Sequence, residues 1–346
     1  MESDADQPVL AIDLGGTQIR TALVTPDRQV VARRAEPTRD DRGVDAVIDH
    51  IGRLATETRE EAVSAGYAPA VGVGISSPGP LDPWRGIVVA PPNLVGWRDV
   101  PLREAIAGSL GLPTFLERDT NVAARAEWRY GAARDTRDLV YITVSTGIGG
   151  AAVIDGRPLT GPGGTAGEFG HLVVDLDGPR CGCGGIGHVE AIASGTGLAR
   201  AGAELVRRGE APILAARAPD PDLVEAVDVA RAADDGDAAC RELLERAWVA
   251  IGAMCASIVN ALNPEVIVMG GGIAEHHPRL YEVARAELVR RALPILVDRV
   301  RIVPAALGPD VSLIGALPIV TERIGDPRYD GSHRPQTAAQ GGASRP

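Results

Sequence analysis

Short apolar and β-branched runs alternate along this chain with longer segments of helical spacing. The runs are bounded by turn residues, a pattern that predicts β-strands at VLAIDLGG, TALVTP, QVVARRAE, VGVGIS, PTFLER, LVYITVS, GGAAVID and EVIVMGGG. The segment VDAVIDHIGRLATETREEAVSAG carries apolar residues at helical intervals and ends at Gly66, where a helix C-cap fits. A second segment, ACRELLERAWVAIGAMCASIVNALNP, is apolar nearly all round in its second half and stops at Pro264, which predicts a buried helix. The pattern predicts an α/β fold.

The strand pattern contains a weak internal repeat. AIDLGGTQIRTALV near the start and YITVSTGIGGAAVIDG in the middle each read as a strand, a Gly-rich turn and a second strand. A chain of 346 residues also exceeds the size at which one hydrophobic core usually keeps growing. We therefore predict two α/β lobes of similar design that face one another across an interlobe cleft.

The same pattern places the lobe boundaries and the chain ends. We predict a small N-terminal lobe at residues 8–117, to which a C-terminal helix at about 311–325 returns, and a large lobe at residues 118–310. The start, Met1–Gln7, is polar, and the tail at residues 326–346 has almost no apolar content. We expect a frayed start and a disordered tail, neither of which carries chemistry.

Charge and apolar runs limit the partners. The formal net charge of −11 argues against nucleic acid or anionic lipid, because binding a polyanion needs a basic face. The sequence shows no apolar run of signal-peptide type and no stretch of about 18 apolar residues, so it indicates neither secretion nor a membrane span. We expect a cytoplasmic protein without a nucleic-acid or membrane partner.

The chain contains no lysine, since all 35 basic residues are arginine. This excludes P-loop NTPases, protein kinases and Schiff-base enzymes, whose chemistry depends on a lysine. A phosphoryl-transfer enzyme of this composition must hold phosphate with glycine-loop amides, helix N-termini, hydroxyls and Mg²⁺. A preference for arginine over lysine is also produced by a GC-rich genome or by adaptation to heat.

The first Gly-rich turn is a candidate phosphate site. Asp13 ends an apolar strand, Gly15 and Gly16 allow a sharp turn, and Thr17 adds a hydroxyl before the next strand. Such a hairpin offers amides to a phosphate of ATP, and the Asp13 carboxylate would then serve as a partner of Mg²⁺ or of a metal-bound water. A Gly-Gly hairpin is also commonly just a turn.

Two further Gly-rich elements strengthen the phosphate interpretation. STGIGG again places hydroxyls and glycines directly after an apolar strand, with Thr146, Gly147 and Gly149 as the candidate nucleotide contacts. Gly271 and Gly272 follow EVIVM and open a predicted helix, a natural place for an adenosine or ribose edge.

Asp119 in LERDTN is the candidate catalytic carboxylate. It ends a predicted strand and precedes the helical segment NVAARAEWRYG. A carboxylate facing a cleft can accept the proton of a hydroxyl that attacks the γ-phosphate. The alternative is a helix N-cap, a position that Asp, Thr and Asn all favour.

The ordered set DLGGT, SPGP, ERDTN, STGIGG, GEFGH, CGCGGIGHVE and MGGG resembles the ROK family, the repressor, open-reading-frame and kinase group that includes bacterial glucokinases. The resemblance runs from about residue 9 to residue 322, and its most specific part is Val144 to Glu190. It implies an actin-like ATPase (hexokinase-type) fold and a homodimer. It implies that Asp119 is the catalytic base, and that the sugar is held by Glu168, His171 and Glu190 and, further, by Gly79 and Asn93.

By this resemblance the expected activity is ATP-dependent phosphorylation of a hexose hydroxyl, with glucose converted to glucose 6-phosphate. Another hexose (mannose, fructose, N-acetylmannosamine or N-acetylglucosamine) and a polyphosphate donor stay open. A sugar-responsive regulator is disfavoured, because such proteins carry a DNA-binding segment ahead of the first loop, which here begins near residue 11. A binding protein that has lost turnover is disfavoured by the presence of Asp119 and both hairpins.

His171, Cys181, Cys183 and His188 form a His-x9-Cys-x-Cys-x4-His set. Two thiolates and two imidazoles are a normal tetrahedral set for structural Zn²⁺. The ROK pattern has a third cysteine where this chain has His188, so the resemblance supports the site while this residue departs from it. With zinc bound, one nitrogen of His171 would face the metal and the other a sugar hydroxyl. The alternative is two free cysteines in a mobile loop.

Arg118 is a second departure. The ROK pattern usually has asparagine beside the catalytic aspartate and uses it on the sugar, whereas an arginine has no acceptor. Arg118 could donate to a hydroxyl, swing away or pair with a carboxylate, so the identity of the hexose stays open.

Overall fold

The computed structural model describes residues 7–329. Residues 1–6 and 330–346, which include most of the predicted frayed start and tail, lie outside the described residues. The strands are β1 (Val9–Leu14), β2 (Gln18–Val24), β3 (Val30–Pro37), β4 (Val73–Ser77), β5 (Leu81–Asp82), β6 (Ile87–Val88), β7 (Thr114–Arg118), β8 (Leu139–Val144), β9 (Ile148–Ile154), β10 (Arg157–Pro158), β11 (Val266–Gly270) and β12 (Arg301–Pro304).

The helices come between and after these strands. They are α1 (Val44–Ser64), α2 (Leu102–Leu110), α3 (Asp119–Tyr130), α4 (Val189–Ala193), α5 (Gly195–Arg208), α6 (Pro212–Arg217), α7 (Ala226–Asp234), α8 (Ala238–Leu262), α9 (Gly272–His276), α10 (Pro278–Arg291), α11 (Pro294–Val297), α12 (Val311–Ile314) and α13 (Ala316–Thr321). No helix within residues 7–329 is long and apolar enough to cross a membrane.

By its internal contacts the chain divides into two compact units. Among the described residues, unit 1 comprises residues 7–129, Thr160–Ala166 and residues 309–329, and unit 2 comprises Tyr130–Leu159 and Gly167–Gly308. The first crossing between them therefore falls after Arg129, twelve residues beyond the boundary drawn from the sequence at 117, because α3 packs within unit 1.

Unit 1 is built on a five-stranded sheet of order β3-β2-β1-β4-β7. The hairpin partners β1, β2 and β3 are antiparallel, whereas β1, β4 and β7 run parallel. The strands β1, β4 and β7 are almost fully buried, although β7 carries the charged residues Glu117 and Arg118. Helices α1 and α13 pack against this sheet.

Unit 2 repeats that topology. Its sheet has the order β10-β9-β8-β11-β12, again with an antiparallel hairpin pair followed by two parallel strands. The repeat predicted from the two hairpin sequences is confirmed by the identical strand order. Helix α8 is mostly buried through its second half, where Ser257, Asn260 and Ala261 are exposed. It ends at Leu262, followed by Asn263 in the left-handed conformation and then Pro264.

A buried ion pair joins β7 to the C-terminal part of unit 1. The guanidinium of Arg323 pairs with the carboxylate of Glu117, and the two side chains are 2% and 1% exposed. Arg323 also donates to the carbonyl of Leu116 at 3.2 Å, and Asn121 donates to Glu117 at 2.9 Å. Burial raises the pKa of Glu117, but the charges of Arg323 and Arg125 outweigh it and hold that pKa below its ordinary value.

Replacing Arg323 with methionine is expected to lower the free energy of unfolding by about 3–5 kcal/mol, because it leaves the Glu117 carboxylate buried without its partner. Glu117 is ionised in the folded protein to a lower pH than in the unfolded chain, so its pairing stabilises the fold above the ordinary pKa of 4.5 and is lost below it. Urea unfolding should therefore show a gap between the two proteins that narrows as the pH falls below 4.5. A pH-independent gap would contradict the ion-pair explanation.

The end of the described chain is packed. Pro327–Tyr329 forms a 3-10 turn, and Tyr329 is buried against Phe115 at a ring distance of 6.2 Å and beneath the guanidinium of Arg323 at 4.3 Å. The tail predicted from the sequence began at Asp326, before this packed segment. A single tyrosine in a polar segment gives no periodic signal from which its burial could be predicted.

Candidate functional site

The first glycine turn joins β1 to β2 in unit 1. The N–H of Gly15 donates to the carbonyl of Gln18 at 2.9 Å and closes the turn. The Thr38 hydroxyl donates to the carbonyl of Gly15 at 2.6 Å, and the Thr38 N–H donates to the carbonyl of Thr17 at 2.9 Å. The carbonyls of the turn are thus used within the unit, and Thr17 itself is exposed.

Asp13 pairs with an arginine across this hairpin. Asp13 and Arg20 are register partners, and Nε and Nη2 of Arg20 both donate to Oδ2 of Asp13, at 2.9 and 2.7 Å. The remaining guanidinium nitrogen of Arg20, Nη1, donates to the carbonyl of Pro309 at 2.7 Å. The sequence analysis missed Arg20, although residues equally distant from a closed hairpin turn face each other and would have identified it.

Asn93, a candidate sugar residue, lies against the same turn. A Cβ on Gly16 would come within 2.6 Å of the Asn93 carbonyl oxygen, so only glycine at position 16 permits this approach. The structure therefore brings a predicted sugar residue and a predicted phosphate residue together within unit 1.

Asp119 follows directly on β7 and begins α3. It is half-buried, and its Oδ1 accepts the N–H of Thr120 at 2.7 Å. The side chain therefore contacts the first turn of the helix, and the helix N-terminus stabilises its negative charge.

Parallel pairing places Asp13 and Asp119 at the same edge of the sheet. Asp13 is paired with Ser76 on β4, and Ser77 is paired with Arg118 on β7. The carboxyl ends of β1, β4 and β7 are thus side by side, two strand spacings or about 10 Å across. In open α/β sheets this edge is where ligands bind.

The second glycine turn joins β8 to β9 in unit 2 and rests on the N-terminus of α5. Ser145 donates to Gly147 at 2.9 Å within the turn, and its carbonyl accepts the N–H of Gly195 at 2.8 Å. The Thr146 carbonyl accepts the N–H and the hydroxyl of Thr196, both at 3.1 Å. Thr146 is exposed, and Gly149 lies within β9.

The third glycine element lies at the same edge of the unit 2 sheet, because Gly270 at the end of β11 is paired with Thr143 on β8. Gly271 has a φ of 90°, and a Cβ there would contact the carbonyl of Val144. Gly272 begins α9, which confirms that a helix opens there.

A cavity of about 800 Å³ opens beside these turns in unit 2. Its walls include Thr146, Thr196, Arg231, Gly272 and His277. The size is within the range of small-molecule and cofactor sites. Arg231 in α7 was not predicted as part of this cavity, because an ordinary amphipathic helix carries no motif.

GEFGH forms a tight turn on β9. A Cβ on Gly170 would collide with the carbonyl of Ile148, and a Cβ on Gly150 would collide with the ring of Phe169. These two glycines let the turn lie directly on the strand. Glu168 is the N-cap of the 3-10 segment Phe169–His171, and His171 is its last residue.

Glu190 connects the second glycine turn to the cysteine loop. Its Oε2 accepts the N–H of Ile148 at 3.0 Å and would lie 2.9 Å from a Cβ on Gly147. Its Oε1 accepts the Cys181 thiol at 3.4 Å. The sequence analysis gave Glu190 a sugar role but did not foresee these contacts.

The four predicted metal ligands come together. One ligand atom from each of His171, Cys181, Cys183 and His188 lies within 4.8 Å of the others. Nδ1 of His171 is 3.8 Å from Sγ of Cys181, and Nδ1 of His188 is 3.3 Å from Sγ of Cys183. These separations bracket the ~3.5 Å that tetrahedral Zn–S and Zn–N bonds give. Burial raises the pKa of the Cys181 thiol to about 11.

The candidates thus form two sets. Unit 1 holds Asp13, Gly15, Gly16, Thr17, Gly79, Asn93 and Asp119. Unit 2 holds Thr146, Gly147, Gly149, Glu168, His171, Cys181, Cys183, His188, Glu190, Gly271 and Gly272.

Two sheets of identical order, each opened by a glycine hairpin, define a duplicated α/β protein of the actin-like ATPase class. The chain belongs to the ROK family, whose model matches residues 9–323. The resemblance noted in the sequence is thereby confirmed.

The relatives include proteins named as sugar kinases. The chain is 34% identical to a glucokinase of Thermotoga maritima, over 92% of this chain and 98% of that protein. It is 35% identical to an N-acetylmannosamine kinase of Salmonella heidelberg, over 89% of this chain and 96% of that protein. A ROK family glucokinase from Streptomyces griseus, solved with glucose and AMPPNP, has a TM-score of 0.75 at 28% identity and covers 90% of this chain and 98% of its own.

Proposed function

We propose that this protein is an ATP-dependent hexose kinase that converts glucose to glucose 6-phosphate. The observation that carries the proposal is the placement of Asp13 and Asp119 at one carboxyl edge of the unit 1 sheet. One carboxylate lies at a glycine turn suited to phosphate, and the other begins a helix within reach of the same edge. The glucokinase relative and the glucose complex of the Streptomyces griseus protein support glucose as the acceptor.

Asp119 is proposed to be the general base. As the sugar hydroxyl oxygen attacks the γ-phosphorus, the bond from that phosphorus to the bridging oxygen breaks and ADP leaves. The hydroxyl proton passes to the Asp119 carboxylate, whose orientation is fixed by the N–H of Thr120. Glu168, His171 and Glu190 are proposed to bind hydroxyls of the sugar.

The nucleotide is proposed to use both glycine turns, with adenosine in the 800 Å³ cavity beside Gly272 and phosphates at Gly15–Thr17 and Thr146–Gly149. Asp13 is the fitting carboxylate for Mg²⁺, since Arg20 binds only its Oδ2 and leaves Oδ1 for a metal-bound water. When bound, Mg²⁺ would neutralise charge on the phosphates. Arg20 would hold the Asp13 side chain in place.

Zn²⁺ is proposed as the metal of the cysteine–histidine cluster, because two thiols and two imidazoles in a group 4.8 Å across match its preferred ligands. Its chemistry there would be structural: it would fix the loop that carries Cys181 and Cys183 beside Glu190. The two histidines would transmit that order to the sugar residues, because His171 is itself a proposed sugar ligand and His188 is the N-cap of α4, the helix that carries Glu190.

A hexose panel tests the proposal. With ATP and Mg²⁺, glucose is expected to give the highest kcat/KM among glucose, mannose, fructose, N-acetylmannosamine and N-acetylglucosamine in a coupled ADP assay. The sugar-free ATPase rate should be far lower, and polyphosphate should replace ATP poorly because the chain carries a net charge of −11. ADP release that no hexose increases would remove the kinase proposal and favour a binding or regulatory protein.

A different ranking would favour the second candidate. The N-acetylmannosamine kinase relative is as similar as the glucokinase relative, so a panel led by N-acetylmannosamine would reassign the acceptor and leave the reaction type unchanged. We also propose a homodimer in the cytoplasm, where the four cysteines, free in the structure, would stay reduced. Light scattering of the purified protein checks the dimer.

A further inference from the structure

Arg118, the residue before Asp119, is buried and bonded to main chain. It is 4% exposed, and its Nη2 donates to the carbonyl of Ala166 at 2.6 Å. Its aliphatic stem lies on Gly79, where a Cβ would come within 3.1 Å of Cδ and 3.5 Å of Cγ. A guanidinium is desolvated here at a cost that only a well-placed acceptor can offset.

The acceptor belongs to a segment that crosses back into unit 1. Thr160–Ala166 lies between two stretches of unit 2 but packs with unit 1. Gly164 fits closely there, since a Cβ would contact the ring of Pro83 at 2.7 Å and the carbonyl of Leu81 at 3.5 Å. The bond from Arg118 fixes the last residue of this segment.

Glu168 follows shortly after Ala166 in the sequence. The chain enters unit 2 at Gly167, so only one residue separates Ala166 from the proposed sugar ligand Glu168. Whatever fixes the carbonyl of Ala166 therefore limits where the backbone before Glu168 can lie. Glycine at 167, with a φ of 88°, would otherwise allow this backbone wide freedom.

We propose that Arg118 is a positioning residue for sugar binding: its bond to Ala166 holds the 160–166 segment and thereby preorganises Glu168. The inference rests on the proposed function. The possibilities that the sequence left open for Arg118 did not include this bond to a main-chain carbonyl. Asparagine at this position would be too short to reach the same carbonyl from the end of β7.

Three variants test the assignment. Arg118→Asn and Arg118→Ala should raise the KM for glucose about 10- to 100-fold, because misplacing a ligand by an ångström has effects of this order, while kcat and the KM for ATP change little. Arg118→Lys should recover much of the lost affinity, since an ammonium can donate one bond to Ala166. Arg59→Ala is the matched control, because Arg59 also donates to a main-chain carbonyl of unit 1, that of Leu110 at 2.9 Å.

Hydrogen exchange of the sugar-free protein supplies a readout that is independent of turnover. Amides of residues 160–166 should exchange faster in Arg118→Asn and return toward the original rate in Arg118→Lys. Unchanged exchange, or faster exchange with an unchanged KM for glucose, would overturn the proposal. If the unsubstituted protein phosphorylates no hexose, the proposed function fails, yet the exchange experiment still decides whether Arg118 holds the segment.

Discussion

Asp119→Asn is expected to lower kcat for hexose phosphorylation by about 10²- to 10⁴-fold, the usual contribution of a positioned general base. The amide cannot accept the hydroxyl proton, whereas its oxygen can still accept the N–H of Thr120. The KM values for sugar and ATP should change much less than kcat, because the amide preserves size and most hydrogen bonding.

This substitution separates the proposed role of Asp119 as general base from a role in the first turn of α3. Asparagine caps helices about as well as aspartate. If Asp119 only caps α3, the Asp119→Asn protein should therefore keep both its stability and its activity. The thermal midpoint should stay within a few degrees. Asp220→Asn is the matched control, because Asp220 accepts the N–H of Asp222 at 3.0 Å in an exposed turn of unit 2. If Asp119→Asn retains near-normal kcat, Asp119 is a cap and the base must be sought elsewhere.

Local sequence signals accounted for the sheets and for the turns of the site. β-branched runs ending in Gly-Gly-Thr or Ser-Thr-Gly indicate a strand followed by a turn. Glycine is needed there for close packing, since a Cβ on Gly16 or on Gly147 would lie within 3 Å of Asn93 or Glu190. The two hairpins and the strand–helix junction at Asp119 follow from such signals alone. The repeat also predicted two sheets of one design.

Contacts between distant positions gave no such signal. Glu190 binds the N–H of Ile148, which is 42 residues away. Residues 160–166 belong to unit 1, with Gly164 against Pro83 and Leu81, but their Gly-rich sequence predicts only a loop and not its partner. The Arg323–Glu117 pair spans 206 residues. Tertiary packing selects these partners, and a single sequence contains no record of the selection.

Replacing both Cys181 and Cys183 with alanine is expected to remove one equivalent of bound zinc and to lower kcat/KM for glucose by about 10- to 100-fold, the usual effect of losing support around a site. The reason lies in one chain of contacts. Zinc would hold His188, the N-cap of α4, and Oε2 of Glu190 in that helix receives the N–H of Ile148 directly after the second glycine turn. Zinc content measured by a chromophoric chelator after unfolding, alongside kinetics, checks both parts.

The chain provides a matched control for that double variant. Cys240 and Cys255 are buried in α8 away from the cluster, so converting both to alanine removes the same number of thiols and should leave zinc content unchanged. His188→Cys should also keep one equivalent, because it offers a thiolate at a position where Nδ1 is already 3.3 Å from Cys183. Full zinc content in the Cys181/Cys183 variant would show that the metal binds elsewhere. If the variant loses zinc while kcat/KM for glucose is unchanged, the metal stabilises only the loop and the proposed link through Glu190 is wrong.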